Sequence, residues 1–308
     1  MAASIGIVGG GALGTLFAHA LAGVADVMLL VRGPAAATEI EREGIRVAGF
    51  EKRRVSVALE PTALARVGVL ILAVKTYDTV AALRPLRGVL SPGVPIVSVQ
   101  NGLDGELRIA AALGDEQTVV LAPTSEAATP LGSGSIARVG IGLTRLGQAT
   151  LHAPAALADL AALLHSAGLG VEIANPIEPH VWAKVIANAA INPVGALFDL
   201  DNASVAQDAR ARALAAELAG EAAAVARASR VRLPFDDPLE HAFAVARATG
   251  ANRSSMWHDL RAGRPTEIDA LNGAIATRGA RLGIPTPANL RIADEVKRRS
   301  AAYGSEHA

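Results

Sequence analysis

The stretch SIGIVGGGALGTLFAHALAG, residues Ser4 to Gly23, reads as a short apolar strand, a glycine turn and a helix in immediate succession. Its glycines fit the pattern GxGxxG at Gly9, Gly11 and Gly14. Gly9 permits the tight turn, Gly11 lets backbone approach a pyrophosphate, and Gly14 lets helix and strand pack closely. The helix start then presents unpaired N–H groups and the positive end of a dipole to phosphate. A glycine turn can also serve packing alone. The order strand, glycines, helix makes a dinucleotide site the expectation here. Ser4 to Ala25 carries no charged residue and could pass for a leader or a membrane span. No basic residue precedes it, however, and three consecutive glycines and His19 interrupt it.

Working outward, DVMLLVRG is the next strand. A site built for NAD usually closes this strand with Asp or Glu, which binds the ribose 2′-hydroxyl. This chain has Arg32. A guanidinium pairs with a 2′-phosphate where a carboxylate would repel it, so NADPH is the expected cofactor. A solvated charge at a strand end is the plainer alternative. VGVLILAV and PIVSV are continuous apolar runs, as parallel strands covered on both faces require. They end in KTYD from Lys75 and QNGLDGE from Gln100. Open parallel sheets bind ligands beyond their strands' carboxyl ends, which places Lys75 and Asn101 at the cofactor edge. Surface lysine and turn asparagine are the ordinary readings of these two.

From Thr118 to Gly147, TVVLAPTSEAATP, GSIARVG and IGLTRLG read as short antiparallel strands. A helix, PAALADLAALLHSAG, and a last strand, LGVEIAN, follow. Beyond Asn175 only helical periodicity remains, in IEPHVWAKVIANAAI, DARARALAAELAGEAAAVARASR and PTEIDALNGAIATRGARLG. This shift predicts a Rossmann-type α/β domain over residues 1–174 and an all-α domain over 175–308, with NPIEP as the hinge.

Composition narrows the function. The 308 residues carry 29 basic and 29 acidic side chains and no cysteine. Zero net charge offers nothing to nucleic acid or an anionic membrane, and neither is an expected partner. Thiolate chemistry, disulfides and cysteine-ligated metals are excluded, and the seven scattered histidines make no HxxxH pair, so no metal site is expected. Only four basic residues are lysines, namely Lys52, Lys75, Lys184 and Lys297. Arginine supplies the ordinary surface charge, so a lysine inside an apolar run stands out.

Lys184 lies in such a run, KVIANAAINP. Residues at i, i+4 and i+8 drift by only about 40° per step on a helix, so Lys184, Asn188 and Asn192 form one polar stripe. An unpartnered buried amide costs about 1–3 kcal/mol and a charge more, so the stripe needs a satisfier. A second polar helix would do, and so would a polar ligand in a cleft. Asn before Pro is also a common turn opening, which would end the helix at Asn192. Downstream, NRSSMWHDLRAGRPTEIDALNG holds a second polar set that includes Ser254, Ser255, Asp259, Arg264, Glu267 and Asp269. Glu267 is expected in the first turn of a helix, where a carboxylate is favoured by the dipole whatever its other role.

Together GIVGGGALG, VKTYD, QNG, KVIANAAINP and SSMWHDLRAGRPTEIDALNG resemble the ketopantoate reductase family over nearly the whole chain. The resemblance implies NADPH-dependent reduction of 2-dehydropantoate to (R)-pantoate, a step of pantothenate biosynthesis in the cytoplasm, with the active site between the two domains. It implies that Lys184 and Glu267 are catalytic and that Asn188, Asn192, Asn202 and Ser255 hold substrate. Gly9, Gly11, Gly14, Arg32, Lys75 and Asn101 fall at the family's cofactor positions. The acidic residue in QNGLDGE, and Trp257 and His258, depart from the family pattern and bear on substrate range. A reductase of another branched or aromatic 2-keto acid is the nearest alternative. A non-catalytic NADP(H) sensor would need the glycine turn but neither polar set. The oligomeric state, a homodimer included, is not legible in the sequence.

Overall fold

The computed structural model describes residues 4–149 and 154–306. Two compact units are present, residues 1–100 with 105–177 and residues 178–308 with 101–104. The division falls between Ile177 and Glu178. The short segment Asn101–Asp104, however, packs with the helices although sheet residues flank it in sequence.

The strands of the first unit are β1 (Ser4–Val8), β2 (Asp26–Leu30), β3 (Arg46–Val47), β4 (Ser56–Ala58), β5 (Val69–Leu72), β6 (Ile96–Ser98), β7 (Val119–Leu121), β8 (Ala127–Gly132), β9 (Ser135–Gly140), β10 (Leu143–Gln148) and β11 (Gly170–Ile173). Its helices are α1 (Ala12–Leu21), α2 (Pro34–Glu43), α3 (Thr79–Leu83), α4 (Gly105–Leu113) and α5 (Pro154–Ser166). Eight strands form one sheet in the order β11-β10-β7-β6-β5-β1-β2-β4. The run from β4 to β7 is parallel, as the continuous apolar strands require. The antiparallel pairing expected from Thr118 onward is seen between β8 and β9 and between β7 and β10, but β7 also extends the large sheet in parallel with β6. The hairpin β8–β9 leaves the large sheet and pairs with β3 in a separate three-stranded sheet. Short polar-flanked strands carry no local mark of which sheet they will join.

The sheet is filled on both faces. Ile5, Ile7, Phe17, Leu21, Leu29 and Ile71 are buried on one side, and Leu64, Leu70, Leu72 and Ile96 belong to the core of the other. β1 lies centrally, with β5 on one flank and β2 on the other. That is the topological switch point, where an open parallel sheet leaves a crevice beyond its carboxyl ends.

The second unit consists of α6 (Glu178–Phe198), α7 (Asn202–Val205), α8 (Ala209–Ala228), α9 (Pro238–Thr249), α10 (Ser255–Arg261), α11 (Asn272–Leu282) and α12 (Pro287–Glu306). α6 is long and apolar enough to span a bilayer, but most of its apolar surface is buried among its neighbours here. α8 contributes Ala211, Ala215, Leu218, Ala219, Ala222 and Ala223 to the same core. Alanine faces let helix backbones approach closely, so this core rests on tight packing more than on bulky side chains.

Two helix expectations are corrected. α6 does not stop before Pro193 but runs through it to Phe198. Pro193 lacks an N–H, which leaves the carbonyl of Ala189, four residues earlier, without its helical donor. Asn272 supplies one, its Nδ2 donating to Ala189 O at 3.1 Å and also to Asn289 Oδ1 at 3.0 Å. Asn289 in turn donates to Leu218 O and to Glu221, whose carboxylate accepts the first N–H groups of α12. Asn272 and Asn289 are both fully buried. The helix expected from Pro265 onward is likewise divided, into a single 3₁₀ turn, Ile268–Ala270, and α11.

Candidate active site

In the first unit the glycine turn has the geometry its sequence requires. Gly9 has φ +113°, a conformation that side chains rarely adopt. A Cβ at Gly14 would stand 1.8 Å from Gly9 O, so helix and turn touch there. A Cβ at Gly11 would meet nothing within 4 Å. Gly11 is also the N-cap of α1 and provides no side-chain acceptor, so the helix start is open to an anionic ligand. These residues fit a dinucleotide pyrophosphate.

Arg32 follows β2 on the same carboxyl edge, and Lys75 follows β5 as the N-cap of a 3₁₀ turn, Thr76–Asp78. Arg32 forms a two-pronged pair with Asp78, Nη1 to Oδ1 at 3.1 Å and Nη2 to Oδ2 at 2.9 Å. Asp78 is the last residue of the polar cluster KTYD. Gln100, placed at this edge as the start of a polar cluster, braces the turn: its Nε2 donates to Val74 O and to Thr79 Oγ1, each at 2.8 Å.

In the second unit α6 carries the polar stripe. Lys184, Asn188 and Asn192 are each partly exposed, and every residue between them is buried. This four-residue rhythm is that of a helix sunk in a core with one face left open. Burial lowers the Lys184 ammonium from its usual value to about 8, and the Glu267 carboxylate opposes that fall. Glu267 is itself only 7 % exposed. Its place depends on the loop before it, where the buried carboxylate of Asp259 accepts from Arg264 Nε and Nη2 at 3.1 and 3.0 Å. Glu267 precedes the 3₁₀ turn and does not lie in the first turn of an α-helix.

Asn101 belongs with this group. Its Nδ2 donates to Glu267 Oε2 at 3.0 Å, and Leu103 N donates to Ala270 O at 2.9 Å. Gly102 makes this approach possible, because a Cβ there would lie 2.4 Å from Ala270 O. Asp104 closes the segment by pairing with Arg278.

The remaining expected residues are placed differently. Ser254, not Ser255, caps α10, accepting from Trp257 N at 3.2 Å and donating to Asn192 O at 3.1 Å. Ser255 is exposed beside it. Asn202 opens α7 and donates to Thr249 Oγ1 at 2.8 Å. Its Oδ1 is buried with no hydrogen-bond partner among the described residues. Trp257 lies against Arg253 and Arg261, and its Nε1 donates to Asp199 Oδ1 at 2.7 Å. Among the described residues no group of acidic or histidine side chains is arranged to hold a metal.

A largely parallel sheet with an open glycine turn, and a helical unit with a half-buried lysine beside a carboxylate, define a two-domain oxidoreductase of the Rossmann class. The family described as ketopantoate reductase PanE/ApbA matches residues 5–150, and its C-terminal counterpart matches residues 176–300. The chain belongs to the ketopantoate reductase family. It is 34% identical to the 2-dehydropantoate 2-reductase of Pyrobaculum aerophilum, over 78% of this chain and 79% of that one. To the 2-dehydropantoate 2-reductase of Halobacterium salinarum it is 31% identical, over 94% and 97%. The crystal structure of a PanE/ApbA family ketopantoate reductase from Ralstonia eutropha JMP134 superposes with a TM-score of 0.89 at 31% identity, covering 98% and 99%. D-mandelate dehydrogenase, solved with NADH and anilino(oxo)acetate, shares the fold at a TM-score of 0.91 and 23% identity, covering 98% and 99%.

Proposed function

We propose that this protein reduces 2-dehydropantoate to (R)-pantoate with NADPH, as the enzymes it resembles are named for doing. The observation that carries the mechanism is the rhythm of α6, which between Trp182 and Gly195 leaves only Lys184, Asn188 and Asn192 unburied. NADPH, when bound, supplies the hydride that adds to C2 of the keto acid. The glycine turn would hold its pyrophosphate and Arg32 its 2′-phosphate, with Lys75 at the same edge.

Reduction of a ketone places negative charge on the carbonyl oxygen, which then needs a proton. The Lys184 ammonium stabilises that oxygen and donates the proton, and the resulting amine is reprotonated from solvent. An ammonium near pKa 8 suits the task, being protonated at neutral pH yet able to release its proton. Glu267 orients Lys184 and keeps it charged. Asn188 and Asn192 direct amides at the substrate without adding net charge. Ser255, exposed at the start of α10, would take the carboxylate, and Asn202 a hydroxyl after its amide turns. The proposed setting is the cytoplasm.

The test is oxidation of NADPH by purified protein with 2-dehydropantoate, against a panel of branched and aromatic 2-keto acids. Highest kcat/KM with 2-dehydropantoate supports the proposal. Preference for an aromatic keto acid by tenfold or more, on the order of 1.4 kcal/mol, would reassign the substrate and keep the chemistry.

A further inference from the structure

We infer that Asp78 narrows the preference for NADPH by competing with the 2′-phosphate for Arg32. The inference rests on the dinucleotide reading above. β1 lies between β2 and β5, Arg32 follows β2, and Asp78 closes the turn after β5. A pair joining them therefore crosses the carboxyl edge of the strand that ends in the glycine turn. It spans the place where the adenosine half of a dinucleotide would lie.

The two partners are unequal. The Arg32 side chain is 80% exposed and that of Asp78 only 20%. The carboxylate also stands on a braced turn. Thr79 Oγ1 donates to Thr76 O at 2.8 Å, Gln100 holds Thr79 and Val74 O, and Ser98 Oγ donates to Gln100 Oε1 at 3.1 Å. Asp78 is thus the fixed member, and the long arginine is the one free to swing.

Asp78 occupies the Nη1–Nη2 edge of the Arg32 guanidinium, so a 2′-phosphate seated on that edge must displace it and then remain near the carboxylate's negative charge. A 2′-hydroxyl imposes neither cost, since it can donate to Asp78 and leave the pair in place. Asp78 therefore penalises NADPH and not NADH, and narrows the preference that Arg32 alone would create. The pair is exposed and screened, so the effect is several-fold rather than many orders of magnitude.

The test is fluorescence titration of NADPH and NADH separately, without keto acid, on the wild type, Asp78→Asn, Arg32→Ala and the double variant. Asp78→Ser serves as a second replacement, and thermal melts check folding. Asp78→Asn should tighten NADPH by about threefold to tenfold and change NADH by no more than about twofold. In the Arg32→Ala background the same change should lose most of its effect. Unchanged or weaker NADPH binding in both Asp78 variants overturns the inference, as does equal tightening of the two cofactors. A full gain without Arg32 overturns the competition as well. A wild type that binds neither cofactor sinks the dinucleotide reading and this inference with it. Binding of both, insensitive to Asp78, sinks this inference alone.

Discussion

Asn101 and Glu267, 166 residues apart, are joined by one hydrogen bond of 3.0 Å from Nδ2 to Oε2. Glu267 is the carboxylate that opposes the fall in the Lys184 pKa. In the proposed mechanism Asn101 is thereby a positioning residue for Lys184 and Glu267, one step removed from the proton. Asn101→Ala should lower kcat by about tenfold, the value of one charge-assisted hydrogen bond. NADPH affinity in the binary complex should change little. A matched rise in the NADPH Kd would return Asn101 to the cofactor.

Lys184 carries the heaviest burden. Lys184→Ala should reduce turnover by at least about a hundredfold, the lower range for loss of a general acid. Lys184→Arg should not restore it, because guanidinium holds its proton far too tightly. Turnover within a few-fold of wild type in a folded alanine variant would make the stripe structural.

The pH dependence follows from the same group. The ammonium must be protonated to donate, so turnover in the reductive direction should fall as pH rises through about 8. A pH profile flat to well above that value would remove Lys184 from the proton transfer.

Stability should respond in the opposite sense. The folded-state pKa is about 8 against 10.5 for the free side chain, so between those values the unfolded chain binds the extra proton. Stability contributed by this group therefore rises with pH across that window and is lowest below it. Lys184→Met should accordingly stabilise the protein at pH 7, by an amount on the order of 1–3 kcal/mol, with the advantage fading towards pH 10. Denaturant melts at several pH values measure this, and a destabilised variant at pH 7 would contradict it.

The proline in α6 offers a structural test. Asn272→Leu removes the donor to Ala189 O and should cost about 1–3 kcal/mol, the penalty for an unpaired buried polar group. Pro193→Ala restores the missing helical N–H and should recover part of that loss in the double variant. Purely additive effects on the melting curve would show that the two residues do not share one carbonyl.

Much of this was legible from sequence because it is local. The strand, glycine turn and helix of Ser4–Gly23 depend on near neighbours, and so does the shift from mixed to helical periodicity after Asn175. The stripe of Lys184, Asn188 and Asn192 follows from helical pitch alone. What only the tertiary structure decided involves partners distant in the chain. Asn101 reads as an Asn-Gly turn at a sheet edge, yet packs with the helices because Gly102 admits the carbonyl of Ala270. Pro193 reads as a helix stop, yet the helix continues because Asn272, far along the chain, supplies the donor that proline lacks. Asp78 reads as one more surface acid until strand order brings β2 and β5 to either side of β1 and sets it against Arg32. Periodicity and turn chemistry write local conformation into the sequence, whereas the pairing of polar groups across the fold depends on which surfaces meet once the apolar faces are buried.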